Sequence, residues 1–130
     1  MTRAIIVKKE LSERAVHFLG IYIETKNAVL AFLSESEDQL GTLAASVPQA
    51  TQMQMKPLVS SILLGDRNTA TARILAERLA AKTGKIGLVS VHLSTMNETE
   101  ANPILIKLFN KLTTTDDAPQ TASAKGDLSI

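Results

Sequence analysis

Two neighbouring runs constrain this chain most: residues 15–23 (Ala-Val-His-Phe-Leu-Gly-Ile-Tyr-Ile) and residues 28–33 (Ala-Val-Leu-Ala-Phe-Leu). Both are short, rich in branched and aromatic side chains and bounded by polar sequence, so they read as strands. The four residues between them, Glu24-Thr25-Lys26-Asn27, join them as a hairpin that needs no crossover. A strand presents alternate residues to opposite faces. In the first run Val16, Phe18 and Tyr22 alternate with Leu19, Ile21 and Ile23; in the second, Leu30 and Phe32 alternate with Val29 and Leu33. Neither side of this hairpin suits water, so each needs a cover.

The rest of the chain offers little cover. Residues 4–7 suit one more strand, residues 34–39 an acidic loop, and residues 41–47, followed by Pro48, a weaker strand near an edge. Residues 49–57 read as connection. Residues 58–64 form a further strand that stops at Gly65-Asp66-Arg67-Asn68-Thr69, a turn rich in helix-capping residues. A helix over 70–82 follows, with Ala72, Leu75, Ala76 and Leu79 on one stripe and Gly84 closing it. Residues 86–93 return as a strand. Asn102-Pro103 then reads as a cap and a first helical position, with Leu105, Leu108, Phe109 and Leu112 behind it at helical spacing. After Leu112 the sequence is polar and unpatterned, which predicts a disordered tail over 113–130 beyond a single domain over 1–112.

The expected fold is therefore α+β: an antiparallel sheet of about six strands with two helices on one face. Six strands about 4.8 Å apart and about six residues long give a face of roughly 600 Å² in projection. Helices of these lengths shadow roughly 350 Å², most of one face and none of the other. The bare face must be closed by the loop around residues 48–56, by curling of the sheet, or by a partner. An apolar patch above a few hundred Å² marks an association surface.

Composition removes most other functions. The 130 residues contain no cysteine, which excludes disulfides, thiolate metal sites and a cysteine nucleophile. Fourteen Lys and Arg against 13 Asp and Glu leave no general field for nucleic acid or anionic lipid. The aromatics, Phe18, Tyr22, Phe32 and Phe109, are too few for base-stacking platforms. No apolar run approaches the ~20 residues of a membrane span. The opening residues lack a signal-peptide hydrophobic region, which predicts a cytoplasmic location with the nucleus left open. On that reading the sequon Asn97-Glu98-Thr99 is incidental.

Candidate chemistry is sparse, and no cofactor or metal is expected. His17 and His92 have no carboxylate or second histidine at ligand spacing and read as surface or structural residues. There is no Gly-x-Ser-x-Gly elbow. The turn Leu63-Leu64-Gly65-Asp66 leads from a strand into a helix N-terminus, where amides can hold an anion, but it has one glycine and an opposing Asp66. Residues 66–85 carry five basic against two acidic residues. Arg78, Lys82 and Lys85 would form one basic edge, suited to an acidic protein surface, if the helix reached Lys85. Phe18, Tyr22, Leu30 and Phe32 are the candidate residues of a dimerising sheet.

One part of the chain resembles a known family. Ser61-Ile62-Leu63-Leu64-Gly65-Asp66, then Leu75-Ala76-Glu77-Arg78-Leu79-Ala80-Ala81-Lys82-Thr83-Gly84-Lys85, then Val89-Ser90-Val91-His92-Leu93 are similar, at the same spacing, to the proteasome assembly chaperone four family. The sister family, assembly chaperone three, shares the Leu-Leu-Gly turn but fits the helix end less well. The resemblance implies a non-enzymatic chaperone that pairs with a chaperone-three-type subunit and helps the α-type subunits of the 20S proteasome, chiefly the fifth, to join into a ring. It also implies that two sheets meet in the pair. Two other readings stay open at this point: a dimerisation or scaffold module of another intracellular complex, and a phosphate-ligand enzyme at the Gly65 turn.

Overall fold

A computed structural model describes residues 3–48 and 59–114. It begins with an antiparallel meander of β1 (Ile5–Glu13), β2 (Val16–Glu24) and β3 (Ala28–Glu35). β1 is nine residues long and extends well beyond the stretch its apolar start suggests. Lys8, Lys9, Glu10 and Glu13 disguise it, yet Val7 and Leu11 keep the strand alternation and pack on the core. Arg14 and Ala15 join it to β2 with φ of 55° and 61°, while Glu13 pairs with Val16. These are the marks of a two-residue hairpin turn with both central residues left-handed. Ala15 therefore belongs to the turn, and the strand starts at Val16.

The second half contains β4 (Thr42–Ser46), β5 (Ser60–Leu64), α1 (Thr69–Thr83), β6 (Ile86–His92) and α2 (Glu98–Thr113). The strand order is β1-β2-β3-β6-β4-β5. β6, the last strand in the chain, sits between β3 and β4, parallel to the former and antiparallel to the latter. The sheet is thus mixed and mostly antiparallel, which corrects the all-antiparallel expectation at one pair. β5 and β6 both run opposite to β4, so the chain needs a crossover between them, and α1 is that crossover.

Both helices lie on the same side of the sheet. The stripe residues Ala72, Leu75, Ala76 and Leu79 of α1 and Leu105, Leu108, Phe109 and Leu112 of α2 are all buried, against Phe18, Val29, Ala31, Leu33, Val89 and Val91. α1 ends as expected, the Gly84 N–H donating to the Ala80 carbonyl at 2.8 Å. α2 begins four residues before Asn102. Asn97 is its cap and accepts from the Glu100 N–H at 2.9 Å, while Glu98 and Glu100 place negative charge in the first turn. Pro103 lies inside the helix. The apparent sequon thus overlaps a capping sequence. Of the tail expected over 113–130, Thr113 is the buried last residue of α2 and residues 115–130 lie outside the described residues, as does nearly all of the 48–56 loop considered as a cover.

Candidate protein-interaction surface

Strand register sorts the sheet residues into rows. Tyr22, Ala31, Val89 and Ala44 form one row, and Gly20, Leu33, Val91 and Thr42 the next but one; all face the helices. Between them the rows reverse. Ile6, Ile23, Leu30, Leu88 and Ala45 lie side by side on the opposite face, followed by Lys8, Ile21, Phe32, Ser90 and Leu43. No described helix packs there. Ile21, Ile23, Leu30, Phe32, Leu88 and Leu43 stay half-buried, screened by one another rather than by a second layer. Ile6 at 61% and Leu64 at 47% exposure extend the patch to both sheet edges. Four strands by two or three rows span about 300 Å² in projection, enough to mark an association surface.

The patch has one built wall. Because β6 separates β3 from β4, the loop 36–41 must pass over the end of β6, and it does so on the bare face. The Ser34 hydroxyl donates to the Gln39 carbonyl and accepts from the Gln39 N–H, both at 3.1 Å. The Gly41 N–H donates to the Ser90 hydroxyl at 2.8 Å. These bonds explain why two serines are buried beside the apolar rows. Between the loop and the sheet is a notch of ≈ 170 Å³, lined by Ile21, Ile23, Phe32, Asp38, Gln39 and Leu40.

The four residues proposed for a dimerising sheet separate. Leu30 and Phe32 lie on the bare face, whereas Phe18, fully buried, and Tyr22, at 8% exposure, lie under the helices. Phe18 and Tyr22 are core residues, a correction that follows from register alone. The proposed basic edge also divides. Arg78 and Lys82 are exposed on α1, but the helix ends at Thr83 and Lys85 turns back to the sheet. Its ammonium donates to the Glu24 carboxylate at 2.6 Å and to the Thr25 carbonyl at 2.9 Å.

Carboxylates invisible as local patterns hold the layers together. Burial alone would raise the Glu35 pKa. Donation from the Thr95 hydroxyl and the N–H groups of Ser94, Met96 and Thr95 outweighs burial and holds the carboxyl at about 2. Burial likewise opposes ionisation of Glu24, but its bonds from Lys85 and Tyr22 leave its pKa below the usual value. The Tyr22 hydroxyl, buried and donating to Glu24 at 2.7 Å, is pushed far above its usual range. His17 is not isolated either. On the bare side of the β1–β2 ribbon it sits 2.7 Å from the Glu10 carboxylate and 2.7 Å from the Ser12 hydroxyl. Pairing of β1 with β2 brings these three together across five and seven residues of sequence. The group is exposed, and no group of three or more His, Asp or Glu able to hold a metal is present among the described residues.

A family model, proteasome assembly chaperone 4, matches residues 17–93, more than half of the chain. The chain belongs to the proteasome assembly chaperone 4 family. No curated protein sequence matches it. Among solved structures it resembles a chain from a chaperone complex for yeast 20S proteasome assembly, with a TM-score of 0.61 and 12% identity over 83% of this chain and 91% of that one. At that identity the likeness is one of fold.

The matched residues run from β2 to just past β6, so they contain the apolar rows and the loop that walls them, but neither β1 nor α2. In this member of the proteasome assembly chaperone 4 family the Leu63-Leu64-Gly65-Asp66 turn serves the fold. Gly65 has φ 92°, and a Cβ there would come within 2.5 Å of the Thr42 hydroxyl. Leu63 and Leu64 remain about half exposed, and Leu64 pairs with Leu43 beside the bare face. Asn68, which takes the N-cap position in the capping-rich turn, is left-handed and makes no side-chain cap bond. The Thr71 N–H in the first turn of α1 donates instead to the Glu98 carboxylate of α2 at 2.8 Å, and Asn102 donates to the Thr71 hydroxyl at 3.0 Å. One of the N–H groups a phosphate would use at this helix start is already bonded to an internal carboxylate.

Proposed function

We propose that this chain is the non-catalytic half of a chaperone pair. It joins a chaperone-three-type subunit sheet to sheet through the face bearing Ile21, Ile23, Leu30, Phe32 and Leu88, and the pair brings 20S proteasome α-type subunits together, the fifth among them, in the cytoplasm. The observation that carries this reading is the one-sided placement of both helices, which leaves an apolar face without a second layer among the described residues. Family membership supports a role in proteasome assembly, and a partner sheet that covered the flanking strands as well as the apolar rows would approach the ~800 Å² per chain of a standard interface. The Glu98 carboxylate at the start of α1 speaks against the phosphate-ligand reading. Co-expression with the chaperone-three-type counterpart, followed by size-exclusion chromatography and light scattering at micromolar concentration, should give one stable 1:1 species. Two separate monomers would overturn the pairing, and a pair that captures no α-type subunit would overturn the ring-assembly role.

A further inference from the structure

The notch beside the β3–β4 loop is more than an accident of surface shape. The loop is fixed along its length: the Ser36 N–H donates to the His17 carbonyl at 2.7 Å, Ser34 grips Gln39 twice, and Gly41 is tied to Ser90. A side chain at Gly41 would put a Cβ 2.1 Å from the Val91 carbonyl oxygen, so the backbone lies directly on β6. Despite this fastening, Leu40 is 55% exposed. A pinned loop thus holds an aliphatic side chain in water over Ile21, Ile23 and Phe32. The same loop carries Glu37 and Asp38, both exposed and with no cation bonded to either among the described residues; the Glu37 carboxylate accepts only from the Gln39 side chain, at 3.3 Å. An apolar hollow with acid on one rim, formed before any partner arrives, is the kind of place where a few residues carry an interface.

We propose that this notch receives one aliphatic or aromatic side chain of the pairing subunit, with a lysine or arginine beside it meeting Asp38. The proposal rests on the sheet-to-sheet reading and deepens it, since the notch is continuous with the apolar rows through Ile21, Ile23 and Phe32. It commits to the chaperone-three-type subunit as the occupant, because the acidic rim calls for a cation opposite it; a second copy, whose Lys8 lies on the same face, is an outcome of the test below. The anchor explains how a face of interchangeable aliphatic residues selects one partner and one orientation, the charge suppressing wrong matches while the hollow supplies the contact.

The test is the affinity of the purified chain for the chaperone-three-type subunit by titration calorimetry, with thermal melting of each variant as a check on folding. Leu40→Ala should weaken pairing at least tenfold and Asp38→Lys three- to tenfold, the latter effect shrinking in high salt, with both variants melting like the parent. Leu30→Asp is the control for the face as a whole and should abolish pairing. If Leu30→Asp abolishes pairing while Leu40→Ala and Asp38→Lys pair normally, the notch proposal fails and the sheet-to-sheet reading stands. If all three pair normally, both fail. If the chain alone forms a homodimer that Leu40→Ala dissociates, the occupant is a second copy and the proposal of a different chain is overturned.

Discussion

The two faces of the sheet are made of the same kinds of residue and have opposite fates. Phe18, Val29, Leu33 and Val91 on one side are sealed by α1 and α2; among the described residues, Ile21, Leu30, Phe32 and Leu88 on the other are covered by each other and by one edge of a loop. Apolar content therefore does not decide which face is core. The sealed side is also the one with polar fastening. Glu24 and Glu35 stand on the helix side, and they hold the loops on either side of β6, one through Lys85 and the other through residues 94–96. Glu98 adds a clasp between the two helices. The opposite face has serines that fix loop 36–41, and no bond that fastens a second layer among the described residues. A face equipped for its own helices and a face left for a separate chain differ in their hydrogen bonds before they differ in their hydrophobicity.

Substitutions on each face sharpen that contrast. Leu79→Asp, on the sealed side, leaves an unpaired charge in a fully buried position. It should remove roughly 3–5 kcal/mol, seen as loss of a cooperative urea transition. Glu35→Gln should cost about 2–3 kcal/mol, because an amide group replaces a carboxylate that accepts from several donors. The same carboxyl predicts a pH effect. It sits at about 2 in the folded chain against an ordinary 4.5, so its contribution, roughly 3 kcal/mol, is complete above about pH 4.5 and is lost as pH falls toward 2. Urea midpoints measured between pH 6 and pH 3 should fall more for the parent than for Glu35→Gln; parallel falls would remove Glu35 as the acid-sensitive clasp. Leu30→Asp, on the open side, should change folding stability by no more than about 1 kcal/mol, by thermal melting, while pairing is lost. Arg78→Glu should shift stability by less than about 0.5 kcal/mol and leave pairing intact. Any weakening it causes should appear only in salt-dependent capture of an acidic third protein, and equal capture would remove the Arg78 and Lys82 edge from consideration.

Much of this fold was legible in one dimension. Strand alternation in residues 15–33, the stripes of both helices and the Gly84 stop all correspond to local periodicity or local backbone need, which sequence carries directly. What failed is what depends on distance. The grouping of Phe18 and Tyr22 with Leu30 and Phe32 failed because a one-residue change in hairpin register exchanges the faces, and the pairing of Ile21 with Phe32 is a property of the assembled sheet. The early start of α2 was hidden by Pro103, whose preference for a first helical position competes with the acidic capping sequence at Asn97. The bonds from residues 94–96 to Glu35 span about sixty residues and leave no spacing to recognise. Three features did carry a signal: the acids of the 34–39 loop, the serines at 34 and 90, and the surplus of apolar strand over helix. Only the last pointed to the site.

The place of β6 in the sheet bears on how the polypeptide is made. Ribosomes deliver β1, β2 and β3 first and β4 and β5 afterwards, yet these two groups share no ladder until β6 enters between them. A nascent chain halted before residue 86 holds two separate ribbons, one of them with β3 as an open edge, and Glu35 still lacks the donors at 94–96. Closure late in synthesis, with long-range contacts formed last, makes this a slow-folding topology and exposes a sticky intermediate in the meantime. A chain that lacks its final third would therefore keep two unjoined ribbons rather than a smaller version of this sheet.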